Sequence, residues 1–242
     1  MTVLPSFKLS PTSPEATIAT YARLASEYDE PAHTTTRALE LLSKDAFRRA
    51  APLAHARAAH PVLLELGAGT GALTRAILDS GDWGRLIVTD PAPAMCARLE
   101  TLVARLARVE AHAYDAAGAL NSFGRQADMV LAGLADPFLT PDMLMAARES
   151  MAAASLLFVT VPSHNWAAGE REARLRVPTD RTRFRLSDGT HLEAASWSYD
   201  EPELAGLVLD AGFRVIDTGT CIAERPVHGA LPEVAWALAS PA

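Results

Sequence analysis

Three glycines and a carboxylate occur close together in the stretch VLLELGAGTGALTRAIL, residues 62–78. Gly67, Gly69 and Gly71 follow an apolar run, and Glu65 stands two positions before the first of them. Because glycines have no side chain, they let the backbone approach a bound molecule closely. The charge of Glu65 would repel an anionic pyrophosphate and attract a ligand that carries an ammonium group. The stretch therefore predicts a nucleotide-like ligand with a cationic part.

Two more acids follow the next two apolar runs of the chain. Asp90 closes RLIVTD, where a carboxylate can accept hydrogen bonds from both hydroxyls of a ribose. Asp115, in VEAHAYDAA, can reach an adenine amino group directly or through its neighbouring backbone. Glu65, Asp90 and Asp115 thus predict recognition of an amino acid, a ribose and a base. The alternative is structural: the acids cap helices and the glycines only make tight turns.

The same turn also satisfies the dinucleotide-binding pattern, with Gly67, Gly69 and Ala72 at its three small positions. A nicotinamide-dependent oxidoreductase is therefore a second hypothesis. Glu65 opposes it, since its charge would lie beside a pyrophosphate.

Short apolar runs that alternate with helical segments must position these residues. Such alternation predicts a mainly parallel sheet wrapped by helices, which binds ligands at the carboxyl ends of its strands. Residues 199–219 predict a late helix that stops at Gly212 and then a strand, and a last strand follows near VAWALA. The earlier apolar runs lie at 62–66, 86–89, 109–113, 128–132 and 155–161.

Two helical segments precede the first predicted strand. Residues 13–30 begin with Ser-Pro-Glu, a hydroxyl cap followed by proline, and apolar residues then recur at helical spacing. Residues 34–59 keep a helical pattern that breaks near Ser43 and Pro52. We expect these helices to form a layer over the main fold, behind a loose tail at residues 1–12.

The segment 162–198 is longer than a simple crossover needs, and we interpret it as a substrate cap. Asp188-Gly189 within it is the strongest short hairpin signal in the chain. A two-residue turn would put Arg181, Arg183 and Arg185 on one face, and Phe184, Leu186, His191, Glu193 and Trp197 on the other. The second face would suit an organic substrate with a polar handle; alternatively, it packs on the core and Glu193 pairs with an arginine.

Arginines also cluster in this segment. They could clamp a carboxylate or phosphate of the substrate, although such a run more often forms a solvated face. The cluster comprises arginines 171, 174, 176, 181, 183 and 185.

Two residues after predicted strands are candidates for a general base. His164, in FVTVPSHNW, follows the fifth strand, and a near-neutral pKa suits an imidazole to proton removal. Asp136, in GLADPF after the fourth strand, is the rival, with a helix or turn cap before Pro137 as its simpler role.

Charge and composition disfavour several classes of function. The chain of 242 residues has a formal net charge of −7, so its overall field repels nucleic-acid backbones. Its two cysteines, Cys96 and Cys221, lie far apart in no metal-type spacing, which favours a reducing compartment and no metal site. The N-terminus lacks a signal peptide, and no window approaches a membrane span. We expect a soluble cytoplasmic protein, a monomer or homodimer without nucleic-acid or membrane partners.

With these motifs, the sequence resembles the class I S-adenosylmethionine-dependent methyltransferases, small-molecule type, and is similar to the quinone methyltransferase group. The matching pieces are ELGAGTGALT, VTDPAPAMCARL, AYDAA and ADMVLAGLA, and the opening ATIATYARLASEYDEPA is similar to the group's lid helix. The resemblance covers residues 15–240 in overall plan. It implies a Rossmann-like α/β fold, a seven-stranded mainly parallel sheet with an antiparallel last strand, plus an N-terminal helical lid and a β-hairpin cap.

The resemblance implies S-adenosylmethionine as the cofactor. It also implies four parts of the chain: a lid at 1–60, a cofactor-binding core at 61–161, a substrate cap at 162–198 and the rest of the sheet at 199–242. We expect Tyr21, Phe184, Glu193 and Trp197 to bind the substrate. The residues implied at the cofactor are Tyr28, Glu65, Gly67, Ala68, Gly69, Gly71, Asp90, Pro91, Met95, Tyr114, Asp115, Ala116, Leu131 and Ala132.

The leading hypothesis is methyl transfer to an oxygen, nitrogen or carbon atom of a small molecule, in specialised metabolism. The alternatives are the nicotinamide oxidoreductase and a protein that binds the cofactor without transferring its methyl group.

Overall fold

A seven-stranded sheet forms the centre of the molecule, for which a computed structural model describes residues 13–242. Its strand order is β3-β2-β1-β4-β5-β9-β8. The first five strands pair in parallel, whereas β9 runs antiparallel to both β5 and β8. The predicted seven-stranded, mainly parallel sheet with an antiparallel last strand is therefore confirmed. The strands are β1 (Val62–Leu66), β2 (Arg85–Thr89), β3 (Val109–His112), β4 (Met129–Gly133), β5 (Leu156–Pro162), β8 (Phe213–Ile222) and β9 (Glu233–Pro241).

Helices cover both faces of this sheet, and successive strand residues point to opposite faces. In β1, Leu63 joins the core beneath α2 and α3, while Leu64 joins the core beneath α5, α6 and α8. Because both faces are buried, the central strands are almost wholly apolar, and Glu65 is a conspicuous exception. The helices are α1 (Pro14–Leu24), α2 (Thr34–Arg57), α3 (Ala72–Ser80), α4 (Pro93–Val103), α5 (Ala116–Phe123), α6 (Pro141–Ser150), α7 (His164–Gly169) and α8 (Glu201–Asp210).

The N-terminal helices differ from the sequence prediction in two places. The first helix ends at Leu24 instead of about Glu30. Beyond it the chain continues in turns, in which the amides of Glu27 and Glu30 donate to carbonyls three residues before them, and the side chain of Asp29 contacts Thr70 and Arg98. The second runs unbroken through Ser43 and Pro52, where burial of one face outweighs the missing donor of proline. The predicted tail at residues 1–12 lies outside the described residues.

The segment after β5 contains α7, a π-helical turn (Glu170–Leu175) and a separate antiparallel pair, β6 (Arg181–Arg185) and β7 (His191–Ala195). The predicted hairpin thus exists, and arginines 181, 183 and 185 share one face as predicted. The prediction that His191 and Glu193 lie on the other face, with Phe184, is wrong. Leu186 and Thr190 are still hydrogen-bonded to each other, so the turn has three residues, 187–189, instead of two.

A change of one residue in register exchanges the two faces of a strand. Glu193 therefore lies opposite Arg183 and bonds to it, and His191 lies opposite Arg185. Phe184 instead shares its face with Leu192 and Ala194 and packs against α1.

The late helix and strands follow the prediction. α8 begins with a capping box between Asp200 and Glu203, and Gly212 adopts a left-handed φ of +85° directly after it. Among residues 13–242, none of the helices combines the length and apolar character that crossing a lipid bilayer requires.

Candidate functional site

The glycine loop between β1 and α3 is held in a conformation that other residues rarely adopt. Gly67, Gly69 and Gly71 have φ angles of +64°, +58° and +86°. A Cβ atom on Gly67 would lie 2.9 Å from the Cβ of Ala135, whereas one on Gly69 would meet no atom within 4 Å. Gly67 is therefore needed both for its left-handed backbone and for close packing against Ala135. Gly69 is needed for its left-handed backbone alone, and the space beside it is open.

Glu65 lies buried beneath this loop, with 1% of its surface exposed. Its Oε2 accepts a hydrogen bond from the Thr74 hydroxyl at 2.7 Å. Burial raises the pKa of Glu65 to about 8, and the bond from Thr74 offsets only part of that rise. A cationic group bound beside this carboxyl would favour its ionised form. Glu65 lines a small cavity, the Glu65 cavity, together with Tyr28, Glu40 and Ala68.

Asp90 stands at the end of β2 and accepts two backbone hydrogen bonds. Its Oδ2 accepts from the Gly69 amide at 2.9 Å and its Oδ1 from the Ala92 amide at 2.8 Å. Burial raises the pKa of Asp90 to about 6, and the two amides oppose this rise. Each oxygen keeps a lone pair for a ribose hydroxyl. Asp90, Pro91 and Met95 line a second small cavity, the Asp90 cavity.

The remaining residues expected at the cofactor lie outside the lining of these cavities. Tyr114 and Asp115 are exposed, and Asp115 caps α5 by accepting the Gly118 amide at 2.7 Å. Gly71 packs behind the loop against Leu102. Ala116 begins α5, and Leu131 and Ala132 are buried within β4.

A third cavity of about 880 Å³ lies between the N-terminal segment, the π-helical turn and the β6–β7 hairpin; we call it the large cavity. Tyr28 and Leu134 line all three cavities, so the three spaces meet at these two side chains. Leu134 has a left-handed φ of +55°, and its amide bonds to the carbonyl and the hydroxyl of Thr160 at 3.0 and 3.1 Å. Backbone strain at such a junction is typical of functional sites.

A buried polar network lies in the wall of the large cavity. Arg171 Nη2 donates to Ser196 Oγ at 2.6 Å, and that hydroxyl donates to Asp136 Oδ2 at 2.5 Å. All three residues line the cavity, although each is buried. Burial raises the pKa of Asp136 to about 6, while Ser196 and the charge of Arg171 oppose this rise. Asp136 is therefore more basic than an ordinary aspartate.

The other residues proposed for substrate and catalysis divide into two groups. Tyr21 and Phe184 line the large cavity, and their rings meet edge to face with centroids 5.8 Å apart. Glu193, Trp197 and His164 are not among its lining residues. His164 begins α7, and its Nδ1 lies 3.2 Å from the Ser198 hydroxyl.

Asp29 connects the N-terminal segment to the glycine loop. Its Oδ1 accepts from the Thr70 hydroxyl at 2.6 Å, and its Oδ2 pairs with Arg98 at 2.7 Å. Arg37 also pairs with Asp29, and donates to the Tyr28 carbonyl at 2.9 Å. Burial alone would raise the pKa of Asp29, but these partners together lower it. The contacts hold Tyr28 at the junction of the cavities.

Sequence reasoning missed several of these positions. Glu40 lines the Glu65 cavity, and its presence on the buried side of α2 beside Ser43 and Phe47 was an available signal. Arg171 was one of six clustered arginines, and nothing in the pattern marked it as the buried one. Leu134 has no sequence signal, because its role depends on backbone conformation.

Comparison with solved structures shows the same fold. DhpI in complex with SAH is 21% identical, with 94% of this chain and 96% of DhpI covered at a TM-score of 0.57. The Burkholderia thailandensis 1,6-didemethyltoxoflavin-N1-methyltransferase, bound to 1,6-didemethyltoxoflavin and S-adenosylhomocysteine, is 19% identical over 100% of this chain and 94% of its own, with a TM-score of 0.59. A Leishmania major S-adenosylmethionine-dependent methyltransferase is 12% identical over 92% and 81%, with a TM-score of 0.59.

No protein-family model and no curated protein sequence matches the chain. The structural likeness confirms, at the level of the fold, the resemblance to S-adenosylmethionine-dependent methyltransferases that the motifs indicated.

Proposed function

We propose that this protein is an S-adenosylmethionine-dependent methyltransferase that acts on a small molecule held in the large cavity. The observation that carries the proposal is the meeting of three spaces at Tyr28 and Leu134. Two of these spaces present the acids Glu65 and Asp90, and the third is large enough for an organic molecule.

The residues present fit this cofactor. Glu65 is a buried carboxyl that bonds to the neutral hydroxyl and backbone amide of Thr74, so an ammonium group would be a favourable ligand for it. Asp90 would hold the ribose hydroxyls, and Met95 and Pro91 supply apolar surface for a base. A nicotinamide dinucleotide fits less well, because its pyrophosphate would face Glu65.

When bound, S-adenosylmethionine supplies an electrophilic methyl group. Transfer then needs an aligned nucleophile and removal of its proton. In our proposal Asp136 is the general base: it lines the large cavity, and a pKa of about 6 leaves it ionised yet basic at neutral pH. The histidine expected from the sequence, His164, is less well supported, since it lies outside that lining.

The neighbours whose names include small molecules support a small-molecule acceptor, as does the size of the cavity. The acceptor atom and a place in specialised metabolism stay predictions. The same holds for a cytoplasmic location, for a monomeric or homodimeric state and for the absence of nucleic-acid partners.

Calorimetric titration tests the cofactor. S-adenosylhomocysteine and S-adenosylmethionine should bind, and NAD and NADP should not. Binding of a nicotinamide cofactor without S-adenosylhomocysteine would contradict the proposal and favour the oxidoreductase. If S-adenosylhomocysteine binds but no acceptor from a broad small-molecule library is methylated, the protein binds the cofactor without the transfer activity.

Once a methylated product is found, two variants compare the candidate bases. Asp136→Asn should lower turnover by about 10² to 10⁴, the range typical for loss of a general base. His164→Ala should change it by less than about threefold. Activity of the wild type should also rise as the pH passes through about 6, because Asp136 must be ionised to accept a proton. The opposite ranking of the two variants would return the role to His164.

A further inference from the structure

Two of the arginines that line the large cavity are already paired with acids. Arg174 Nε lies 2.6 Å from Glu170 Oε1, and Arg183 Nη2 lies 2.7 Å from Glu193 Oε1. Glu170 balances Arg174, whereas Glu193 is shared between Arg183 and Arg181, whose Nη1 lies 3.6 Å from Glu193 Oε2. The predicted clamp for a carboxylate or phosphate therefore loses two of its members.

Arg171, the buried arginine of the cluster, forms no direct ion pair within the described part of the chain, and the carboxylate of Asp136 lies one hydroxyl group away from it. Ser196 connects it to Asp136 through hydrogen bonds of 2.6 and 2.5 Å. Its Nη1 also donates to the Thr179 carbonyl and to the Ser198 hydroxyl. These bonds use three of the five N–H groups of the guanidinium, so it can still donate to a ligand.

Arg171 and Arg185 are the lining arginines that form no direct ion pair with an acid of residues 13–242. Arg171 is separated from Asp136 by the Ser196 hydroxyl, whereas Arg185 is exposed at the end of β6. Water screens a charge in such a position and reduces its value for binding. An anion bound deep in the cavity would lose its hydration beside Arg171 and the negative charge of Asp136, which offset each other. The charge distribution favours an uncharged ligand.

Aromatic rings form the wall of the large cavity where it meets the cofactor side. The ring centroids of Tyr21 and Phe184 are 5.8 Å apart, those of Tyr21 and Tyr28 are 6.2 Å apart, and those of Tyr28 and Phe184 are 6.4 Å apart. His33 meets Phe184 at 6.1 Å. Such a surface favours contact with another flat ring.

On this basis, and resting on the proposed methyl transfer, we infer that the acceptor is an uncharged heterocycle whose edge carries an N–H beside a carbonyl, as in a cyclic amide or imide. Asp136 and Arg171 lie on either side of one serine hydroxyl, so an acceptor and a donor are presented side by side. The ring N–H donates to Asp136 and the ring carbonyl accepts from Arg171. One rigid edge satisfies both buried groups at once.

The test uses calorimetry on the full chain saturated with S-adenosylhomocysteine, with three probes that share one bicyclic ring. Lumazine has the N–H and carbonyl edge, 1,3-dimethyllumazine lacks the N–H donors, and lumazine-6-carboxylate adds a negative charge. Lumazine should bind at least about tenfold more tightly than either of the others. Equal or reversed affinities, or no binding of lumazine, would overturn the inference.

Variants locate the contact. Asp136→Asn keeps the size of the side chain and should lower lumazine affinity at least about tenfold, while leaving that of 1,3-dimethyllumazine unchanged. Arg185→Gln is the matched control in the same cavity and should leave both unchanged. If Asp136→Asn does not fold, the ranking of the three probes on the wild type still decides. If S-adenosylhomocysteine does not bind, the proposed function is contradicted as well. If it binds but the affinities of the three probes rank differently, only this inference is contradicted.

Discussion

The proposed cofactor half of the site, with Glu65 and Asp90, and the proposed acceptor half, the large cavity, share Tyr28 and Leu134 but are assembled from the chain in different ways. The two acids of the cofactor half bond to residues close in sequence: Glu65 and Thr74 are 9 positions apart, and Asp90 and Gly69 are 21 apart. In the acceptor half, Ser196 and Asp136 are 60 positions apart. Contacts of Thr35 with Glu170 and of Thr20 with the Glu193 carbonyl span 135 and 173 positions.

The difference shows where each half gets its precision. Parallel strands bring their carboxyl ends to one edge, so short loops after β1 and β2 suffice to position Glu65 and Asp90. The acceptor half depends on an inserted segment that docks against α1, away from the central sheet. We therefore expect substitutions in the first half to affect the cofactor and those in the second to leave its affinity unchanged.

The largest expected effect tests the packing of the glycine loop. Gly67→Ala should lower the free energy of unfolding by about 2–4 kcal/mol, because it combines a left-handed φ with a Cβ 2.9 Å from that of Ala135. Gly69→Ala, with a similar φ and an open surrounding, should cost only about 1–2 kcal/mol. Urea unfolding measures both. Equal losses would mean that Ala135 moves aside and that loop and neighbouring strand are not tightly packed.

The second effect separates two acids that follow neighbouring strands. Asp90→Asn should weaken S-adenosylhomocysteine binding about tenfold or more, since each charge-assisted bond to a ribose hydroxyl contributes on the order of 1.5–3 kcal/mol. Asp115→Asn should change it by less than about twofold, because Asp115 is exposed and caps α5. Calorimetric titration compares the two. A larger loss for Asp115 would show that the loop after β3 closes over the base.

The third effect is a dependence of stability on pH in the cofactor half. Since the folded pKa of Glu65 is raised above its ordinary value, its contribution is complete below about 4.5 and is lost as the pH rises through about 8. Between pH 7 and 9 this loss is on the order of 1 kcal/mol. Glu65→Gln should remove it, leaving a flatter curve of melting temperature against pH. Glu40, with a pKa of about 7, accounts for change at the lower end of that range.

In the same experiment, Asp115→Asn serves as the control and should keep the wild-type curve. An unchanged slope in Glu65→Gln would mean that Glu65 is already ionised in the folded protein, and that its burial costs less than its surroundings suggest.

The smallest effect concerns the docking of the hairpin. Thr20→Val removes a 2.8 Å bond to the Glu193 carbonyl and should cost about 0.5–1.5 kcal/mol of unfolding free energy, with unchanged affinity for S-adenosylhomocysteine. Thr101→Val, which loses a bond within an exposed helix, should cost less. A loss of cofactor affinity in Thr20→Val would break the comparison, because the two halves would then be coupled.

Particular residues show how far sequence reasoning reaches. Glu65, Asp90 and the glycines could be found from their types and spacing, since the strands beside them are short apolar runs. Asp115 fitted the same pattern, but it is exposed and lies outside the cavities. The end of α1 could not be predicted, because the sequence gives no sign that the chain beyond Leu24 contacts Thr70 and Arg98 through Asp29.

The amino-acid sequence by itself determined the alternation of strands and helices. It also determined which acids follow the parallel strands at one edge of the sheet. These depend on local periodicity and on residues a few positions apart. Only the tertiary structure decided that Arg171 is the buried arginine, that Asp136 faces the large cavity and that the hairpin turns with three residues. The first two depend on contacts between segments that are distant in sequence. In the hairpin, a single step of strand register exchanges one face for the other.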